Sequence, residues 1–152
     1  AFLLRDDVET IHAATEVLAE AKLSPELKNE ALYYRAKAYK NQKADKKALD
    51  DFRELAKDTR NSYGAEAKYQ VAQALYDAQE YAAAEKELLN YIEQSTPHAY
   101  WLARSFVLLS DVYVAMGKDL DARQYLLSLQ QNYQGNDDIE SMIEDRLKKL
   151  NK

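Results

Sequence analysis

The chain has 152 residues, with 3 Gly, 2 Pro, no Cys and a formal net charge of −5. The absence of Cys excludes a disulfide scaffold, a thiolate metal site and a Cys nucleophile. The acidic balance disfavours nucleic acid as the main partner, because phosphate binding needs a dense basic face. No apolar run approaches the ~20 residues of a membrane span, which predicts no membrane insertion. Scarce Gly and Pro disfavour a β-sandwich or barrel, and abundant helix formers predict an all-α protein.

The first predicted element is a half-repeat over residues 1–23. Residues 11–18 have the spacing of a second helix, whose partner is either reduced to the first few residues or lies upstream. Phe2, Leu3 and Leu4 would leave an exposed apolar edge if a helix is missing. Such an edge favours self-association, and a homodimer through it is one possible state.

Three predicted helix pairs follow, at residues 24–60, 61–95 and 96–134. Two sequence patterns recur along them, the first at 30–39, 66–75 and 106–113, and the second at 48–52, 84–88 and 122–126. Aligned on Ala36, Ala72 and Ser110, the first pattern is displaced by one interval from the first copy to the second and by a slightly longer interval from the second to the third. The second pattern, aligned on Ala48, Ala84 and Ala122, is displaced by the same two intervals. Because two separate segments keep the same intervals, we predict a stack of helix-turn-helix repeats.

Small and large apolar residues alternate in this register. Small residues that would let paired helices approach closely are Ala36, Ala72, Ser110, Ala48, Ala84 and Ala122. Larger residues that would fill the space between neighbouring pairs are Phe52, Leu88 and Leu126. The pattern therefore predicts which face of each helix is buried.

Helix-end signals agree with these bounds. Ser24-Pro25 and Thr96-Pro97 each offer an N-cap followed by Pro at the first helical position. Gly117 and Gly135 fall where helices are expected to stop. Asn136 is expected to cap a last helix over 136–151, which carries an apolar stripe on one side and charges on the other, as a terminal cap of a repeat array does.

The repeats resemble the tetratricopeptide repeat (TPR), whose signature spaces W-x2-L-G-x2-Y, A-x3-F and P over about 34 residues. Leu32, Ala36 and Tyr39, followed by Ala48 and Phe52, match that spacing, and the two later copies repeat it. The Trp and Gly of the signature are absent, and the repeats are slightly longer than the signature's period. Long, degenerate repeats of this kind look like those of bacterial TPR proteins, several of the Gram-negative envelope among them.

The resemblance implies a right-handed α-solenoid with a C-terminal capping helix, formed as a single TPR-like domain over 1–152. It also implies a concave face that is lined by the first helix of each pair, and a periplasmic or cell-envelope location, with the cytoplasm left open. The chain begins at Ala1 rather than Met, so we expect a processed protein or the C-terminal piece of a longer array.

The concave face would present three rows of side chains. The rows are Tyr33, Tyr69 and Val107; then Lys37, Gln73 and Asp111; then Lys40, Tyr76 and Val114. Aromatic and polar side chains together suit a peptide, although Tyr33, Tyr69 and Tyr76 could equally pack inside. Arg104 could meet an acidic partner, but the Lys/Asn clamp by which some TPR modules hold a C-terminal carboxylate is not reproduced. Tyr39, Tyr91 and Tyr113 are expected to pack, and Trp101 to bridge to the preceding helix.

No catalytic constellation accompanies these rows. His12 and His98 lie far apart in sequence, and three isolated glycines cannot form a phosphate-binding loop. Asp137-Asp138 is interpreted as a helix cap rather than a cation site, because a calcium loop needs further oxygen ligands and a Gly. We therefore expect a non-catalytic protein–protein interaction scaffold with no cofactor and no metal, whose partner is a protein or peptide. The alternative is a structural or self-associating segment of a longer array with no ligand of its own.

Overall fold

A computed structural model describes residues 6–94 and 96–151, which fold entirely into helices and connecting turns. The helices are α1 (Asp7–Leu18), α2 (Pro25–Asn41), α3 (Asp45–Leu55), α4 (Ser62–Asp77), α5 (Tyr81–Glu93), α6 (Ala99–Ala115), α7 (Asp119–Asn132) and α8 (Ile139–Leu150). The described residues include no strand, which confirms the all-α prediction. Within those residues, no helix has both the length and the apolar character needed to cross a lipid bilayer.

The chain forms two compact units that divide within α4. Unit 1 comprises the described residues up to Val71, and unit 2 those from Ala72 onward. Each predicted range 24–60, 61–95 and 96–134 contains two helices, and the predicted range 136–151 contains α8.

Unit 1 is a set of helices that pack in sequence order, α1 on α2 and α2 on α3. Ala14 of α1 and Ala31 of α2 are fully buried against each other, with Leu18 and Tyr34 beside them. Small residues at this contact let the two backbones approach closely. The start of α2 also follows the prediction, since the Ser24 hydroxyl accepts from the Leu27 N–H and Pro25 occupies the first turn.

Unit 2 packs α5 on α6, α6 on α7, and α8 on both α6 and α7. Its core joins Val107 of α6 and Leu126 of α7 to Ile139 and Ile143 of α8, and all four residues are buried. The apolar stripe of the last helix is therefore confirmed as a packing face. Burial of this stripe stabilises the helix end by removing apolar area from water, at roughly 25 cal/mol per Å².

The turns at the ends of α2, α4 and α6 share one backbone geometry. One residue in each has a left-handed φ: Lys43 at 60°, Gln79 at 62° and Gly117 at 76°. The next N–H donates to the carbonyl of a residue in the last turn of the helix, in the pairs Ala44–Tyr39 (2.8 Å), Glu80–Leu75 (2.9 Å) and Lys118–Tyr113 (2.7 Å). This is the Schellman ending of a helix. The three turns are separated by the same two intervals as the sequence patterns, so the local backbone repeats with the sequence.

Two predicted helix starts are wrong by two or three positions. Pro97 precedes α6, which begins at Ala99, because the Thr96 hydroxyl accepts from the His98 N–H (3.2 Å) and holds a turn there. Asn136 does not cap α8, since Asp137 accepts from the Ile139 N–H (3.0 Å) instead. Gly135 lies in the same connection, after α7 has ended at Asn132.

Gly64 allows a close backbone contact that could not be predicted from the sequence. It lies in the first turn of α4, where an added Cβ would come within 1.7 Å of the Asp58 carbonyl oxygen. The Asn61 side chain accepts from the Gly64 N–H (2.8 Å) and donates to that same carbonyl (3.0 Å). Only glycine permits this close approach of backbone to backbone.

Candidate partner-binding site

The predicted groove residues of α2 lie together in unit 1 and contact α4. The Tyr33 hydroxyl donates to Glu66 Oε1 (2.9 Å), and Lys37 Nζ donates to Glu66 Oε2 (2.8 Å). Lys40 Nζ donates to Gln70 Oε1 (2.7 Å). Each of these three side chains is therefore already used in holding α2 to α4.

Aromatic rings surround the Glu66 contact. The ring centroid of Tyr33 lies 4.7 Å from that of Tyr63 and 5.2 Å from that of Tyr34, and Lys37 Nζ lies 5.4 Å from the Tyr33 centroid. Burial, followed by the hydrogen bond to Glu66, raises the pKa of Tyr33 well above its usual range. The phenol therefore stays neutral and acts as a hydrogen-bond donor at physiological pH.

Of the two alternatives for Tyr69, exposure in a groove is wrong and packing is correct. Only 7% of Tyr69 is exposed, and Ala65 and Ala67 of the same helix are fully buried. The physical reason is that α4 is buried around more of its circumference than a surface helix with one apolar stripe. Tyr69 therefore offers little surface to a partner.

Tyr76 and Asp111 line a cleft of about 540 Å³ within unit 2. The cleft lies among the last residues of α4 and α6, the start of α7 and the second half of α8. Its lining consists of Tyr76, Ser110, Asp111, Val114, Ala115, Asp119, Leu126, Asp145, Arg146, Lys149 and Leu150. We call this feature the α8 cleft.

A two-point ion pair forms one wall of the α8 cleft. Arg146 Nε lies 2.8 Å from Asp111 Oδ1, and Arg146 Nη2 lies 3.0 Å from Asp111 Oδ2. A third donor of the same guanidinium, Nη1, bonds the Met142 carbonyl (3.1 Å). Bidentate charge-assisted bonds of this type fix geometry as well as adding stability, so the pair sets the position of α8 against α6.

The rest of the cleft combines apolar surface with isolated charges. Val114 is 46% exposed, which leaves a branched apolar side chain facing solvent at the cleft. Asp119, Asp145 and Lys149 are exposed and form no ion pair with any described residue. Burial, with Asp111 the next cause, raises the pKa of Tyr76, so this ring brings a neutral hydroxyl to the cleft.

The remaining predicted site residues lie elsewhere. Gln73 Nε2 donates to Asp77 Oδ1 (2.9 Å) on α4. The Arg104 guanidinium donates to the Tyr100 hydroxyl (2.9 Å) and lies 5.8 and 5.9 Å from the ring centroids of Tyr100 and Trp101. Phe2, Leu3 and Leu4 fall outside the described residues.

The two histidines lie in different units and have local contacts. His12 Nε2 is 3.0 Å from Glu16 Oε1 on an exposed face of α1, and His98 immediately precedes α6. Across the described ranges 6–94 and 96–151, His, Asp and Glu form no group of three or more that could hold a metal ion.

Sequence reasoning missed the contribution of α8 to the site. Arg146 and Lys149 lie on a helix that has the pattern of a charged terminal cap, and the bond from Arg146 to Asp111 joins two helices that are far apart in the chain. A usable signal was the acidic Asp111 in a row whose other members are Lys37 and Gln73, because a carboxylate that faces other helices is stabilised by a nearby cation.

No family model, curated protein or solved structure matches the chain.

Proposed function

We propose that this chain is a non-catalytic protein–protein interaction scaffold of the tetratricopeptide type, which binds a peptide segment of a partner protein in the α8 cleft. In this proposal the helix pairs stack as a right-handed α-solenoid. The scaffold acts without a cofactor or metal: rigid helices hold the cleft open, so binding orders little of the protein and the entropic cost falls mainly on the peptide.

The repeated turn geometry supports the tetratricopeptide assignment. Three helix endings have the same hydrogen bonds and recur in step with the sequence patterns, and Ala48, Ala84 and Ala122 are buried at equivalent positions on the second helices. Recurrent turns and recurrent small residues are what a helix-turn-helix array needs to repeat one packing arrangement.

The α8 cleft is the observation that carries the binding proposal. Its volume of about 540 Å³ lies in the range of ligand sites, roughly 300–1,000 Å³. It combines the exposed Val114 side chain with the neutral hydroxyl of Tyr76 and three charged side chains that have no partner in the described chain. Apolar area with a few orienting polar groups is the composition that peptide recognition uses.

A structural role is the second candidate, and the contacts of unit 1 favour it there. Tyr33, Lys37 and Lys40 all bond to residues of α4, so this part of the predicted groove serves packing. Under this alternative the chain extends or ends a longer array. Self-association through Phe2, Leu3 and Leu4 would be its means of assembly.

Comparative affinity capture tests the proposal. The immobilised chain, a Val114→Gln variant and a Leu120→Gln variant are exposed to a lysate of the source cells, and retained proteins are quantified by mass spectrometry. Both substitutions replace an exposed aliphatic residue on a helix by a neutral amide, but Leu120 does not line the cleft.

We expect a protein that is retained by the original chain and by Leu120→Gln, and lost with Val114→Gln. Equal retention by all three would contradict the cleft and favour the structural candidate. Analytical ultracentrifugation of Phe2→Asp and Leu4→Asp variants tests that candidate separately, since loss of a dimer would support the apolar edge.

A further inference from the structure

The charges of the α8 cleft divide into two sets. Arg146 and Asp111 neutralise each other through two bonds, and a third guanidinium donor of Arg146 is taken by the Met142 carbonyl. An incoming anion would have to displace a carboxylate that already has ideal geometry. Arg146 is therefore unavailable as an anion receptor, although it is the Arg of the cleft.

The second set consists of the charges that remain open to a ligand. Asp119 at the start of α7 and Asp145 on α8 are exposed and unpaired among the described residues, and Lys149 is their one open counterpart in the cleft lining. Lys118, the residue before Asp119, does not line the cleft. Its ammonium lies 5.8 Å from the centroid of the Tyr113 ring. Carboxylates thus outnumber ammonium groups in the part of the cleft that a ligand meets.

From this imbalance we infer that the α8 cleft binds a peptide segment in which a Lys or Arg side chain stands next to an apolar side chain. The cationic group pairs with Asp119 and Asp145, and the apolar neighbour covers Val114 and Leu150. This inference rests on the proposed function and specifies its partner. Arg104, for which the sequence predicts an acidic partner, lies beside Tyr100 and Trp101 and does not line the cleft.

The strength of exposed ion pairs determines how much each charge substitution should change the peptide affinity. Exposed ion pairs contribute little individually, so removing one carboxylate should weaken binding roughly two- to fivefold. The pairs are screened by salt, so affinity should fall as ionic strength rises. Removing Lys149, which repels a cationic ligand, should strengthen binding by roughly twofold. A variant that merely disturbs the fold would not strengthen binding.

A random dodecapeptide library displayed on phage provides the probe. It is selected on the full chain, on Val114→Gln and on the double variant Asp119→Asn with Asp145→Asn. Asp50→Asn, an exposed carboxylate of α3 in unit 1, is the matched charge control, and circular dichroism checks that every variant is folded. The most enriched peptide and its Lys/Arg→Glu counterpart are then synthesised and titrated by fluorescence anisotropy.

The expected result is a rise of roughly threefold in the ratio of basic to acidic residues among peptides enriched on the full chain. That enrichment is kept by Asp50→Asn, reduced by the double variant and lost with Val114→Gln. Enrichment of acidic or uncharged peptides that still depends on Val114 would overturn the cationic preference and leave peptide binding in the cleft intact. Enrichment that is equal on Val114→Gln, or none on the full chain, would overturn both the preference and the proposed function.

Discussion

The α2–α3 pair of unit 1 and the α6–α7 pair of unit 2 place different chemistry at equivalent positions. In unit 1, Arg35 Nε and Nη2 bond both carboxylate oxygens of Asp51, at 2.8 and 2.7 Å, and the Asp51 side chain is 7% exposed. In unit 2, the repeat positions equivalent to Arg35 and Asp51 are Leu109 and Tyr125. Leu109 is fully buried, and the Tyr125 ring contacts that of Tyr113. Equivalent positions of the repeat therefore hold an ion pair in unit 1 and uncharged side chains in unit 2.

The solvent faces of the second helices differ in the same way. Three of the equivalent exposed positions are Lys46, Asp50 and Arg53 on α3, and Leu120, Gln124 and Leu127 on α7. The first set is charged throughout, and the second set carries no charge. The repeated turns determine where these residues lie, and nothing in the turns determines what they are.

The largest effect should come from leaving the half-buried guanidinium of Arg35 without its buried carboxylate partner. Asp51→Ala removes both bonds to Arg35, whose side chain is 19% exposed and keeps a hydrogen bond to Thr15 Oγ1 and a position over the Tyr39 ring, 5.8 Å from its centroid. We expect the free energy of unfolding to fall by about 3 kcal/mol, measured by urea unfolding with circular dichroism. Asp50→Ala, the exposed neighbour, should change it by less than about 0.5 kcal/mol.

A double variant tests whether the two units are interchangeable at this contact. Arg35→Leu with Asp51→Tyr transfers the residues of unit 2 into unit 1. It should retain more stability than Asp51→Ala, since a buried ion pair can be replaced by apolar packing, although the larger Tyr side chain offsets part of the gain. If the double variant is as unstable as Asp51→Ala, the interchangeability is refuted. Trp101, the single Trp, lies in unit 2, so its fluorescence provides a separate reading of that unit.

An intermediate effect should come from the left-handed turns. Lys43 and Gly117 occupy equivalent positions with φ of 60° and 76°, and a residue with a Cβ costs about 1–2 kcal/mol there. Gly117→Ala should therefore destabilise by about 1 kcal/mol, although its added Cβ meets no atom within 4 Å. Lys43→Gly should stabilise by about 0.5 kcal/mol, because the entropy of Gly in the unfolded chain offsets part of the gain.

The helical position Lys46 supplies the control of opposite sign. Lys46→Gly lies in the first turn of α3, where Gly costs up to about 1 kcal/mol. Stability curves that show Lys43→Gly and Lys46→Gly losing equal stability would mean that the turn at Lys43 is not strained.

The smallest effect should appear in strong alkali, at the tyrosine–carboxylate pairs of the two units. Burial, followed by the hydrogen bond to Asp137, raises the pKa of Tyr133 to about 12. Burial, followed by the hydrogen bond to Glu66, also raises the pKa of the more enclosed Tyr33, and by more. A raised pKa means that folding favours the protonated phenol. Its contribution is complete below about pH 10 and is lost as the pH rises through the folded value.

Urea unfolding midpoints at about pH 9 and about pH 11 measure this loss. Tyr133→Phe should unfold with a smaller difference between the two pH values than the original chain. Because the chain has 12 Tyr, tyrosinate absorbance titrations of Tyr133→Phe and Tyr33→Phe are each subtracted from that of the original chain, and the Tyr133 difference should appear at lower pH than the Tyr33 difference. The reverse order would mean that Glu66 does not enclose its tyrosine more tightly than Asp137 does.

Most local structure could be predicted from the chain because its causes lie within a few residues. The Ser24 cap, the turn at Gly117 and the small residues of the repeat all follow from neighbouring positions, and the structure confirms each of them. The left-handed Lys43 and Gln79 could not be recognised by residue type, since only Gly announces that conformation. Their position in the repeat, equivalent to Gly117, was the available signal.

The candidate site was predictable only in part, because it depends on contacts between residues that are distant in the chain. Tyr76 and Asp111 were placed on the correct helices, and both line the α8 cleft. Tyr69 could face solvent or pack inside, and it is buried, because periodicity does not tell how much of a helix circumference its neighbours cover. Arg146 escaped notice for the same reason, since its partner Asp111 is fixed by how α8 packs on α6.

The sequence by itself determined that this protein is helical, where its helices turn and which small residues face inward. Those properties arise from backbone hydrogen bonds and side-chain spacing within one or two helical turns. Only the tertiary structure decided that Lys37 forms an ion pair with Glu66, that Arg146 forms one with Asp111, and that Asp119 and Asp145 line a cleft. The physical reason is that an ion pair forms or fails over a few ångströms, and helix packing sets those distances.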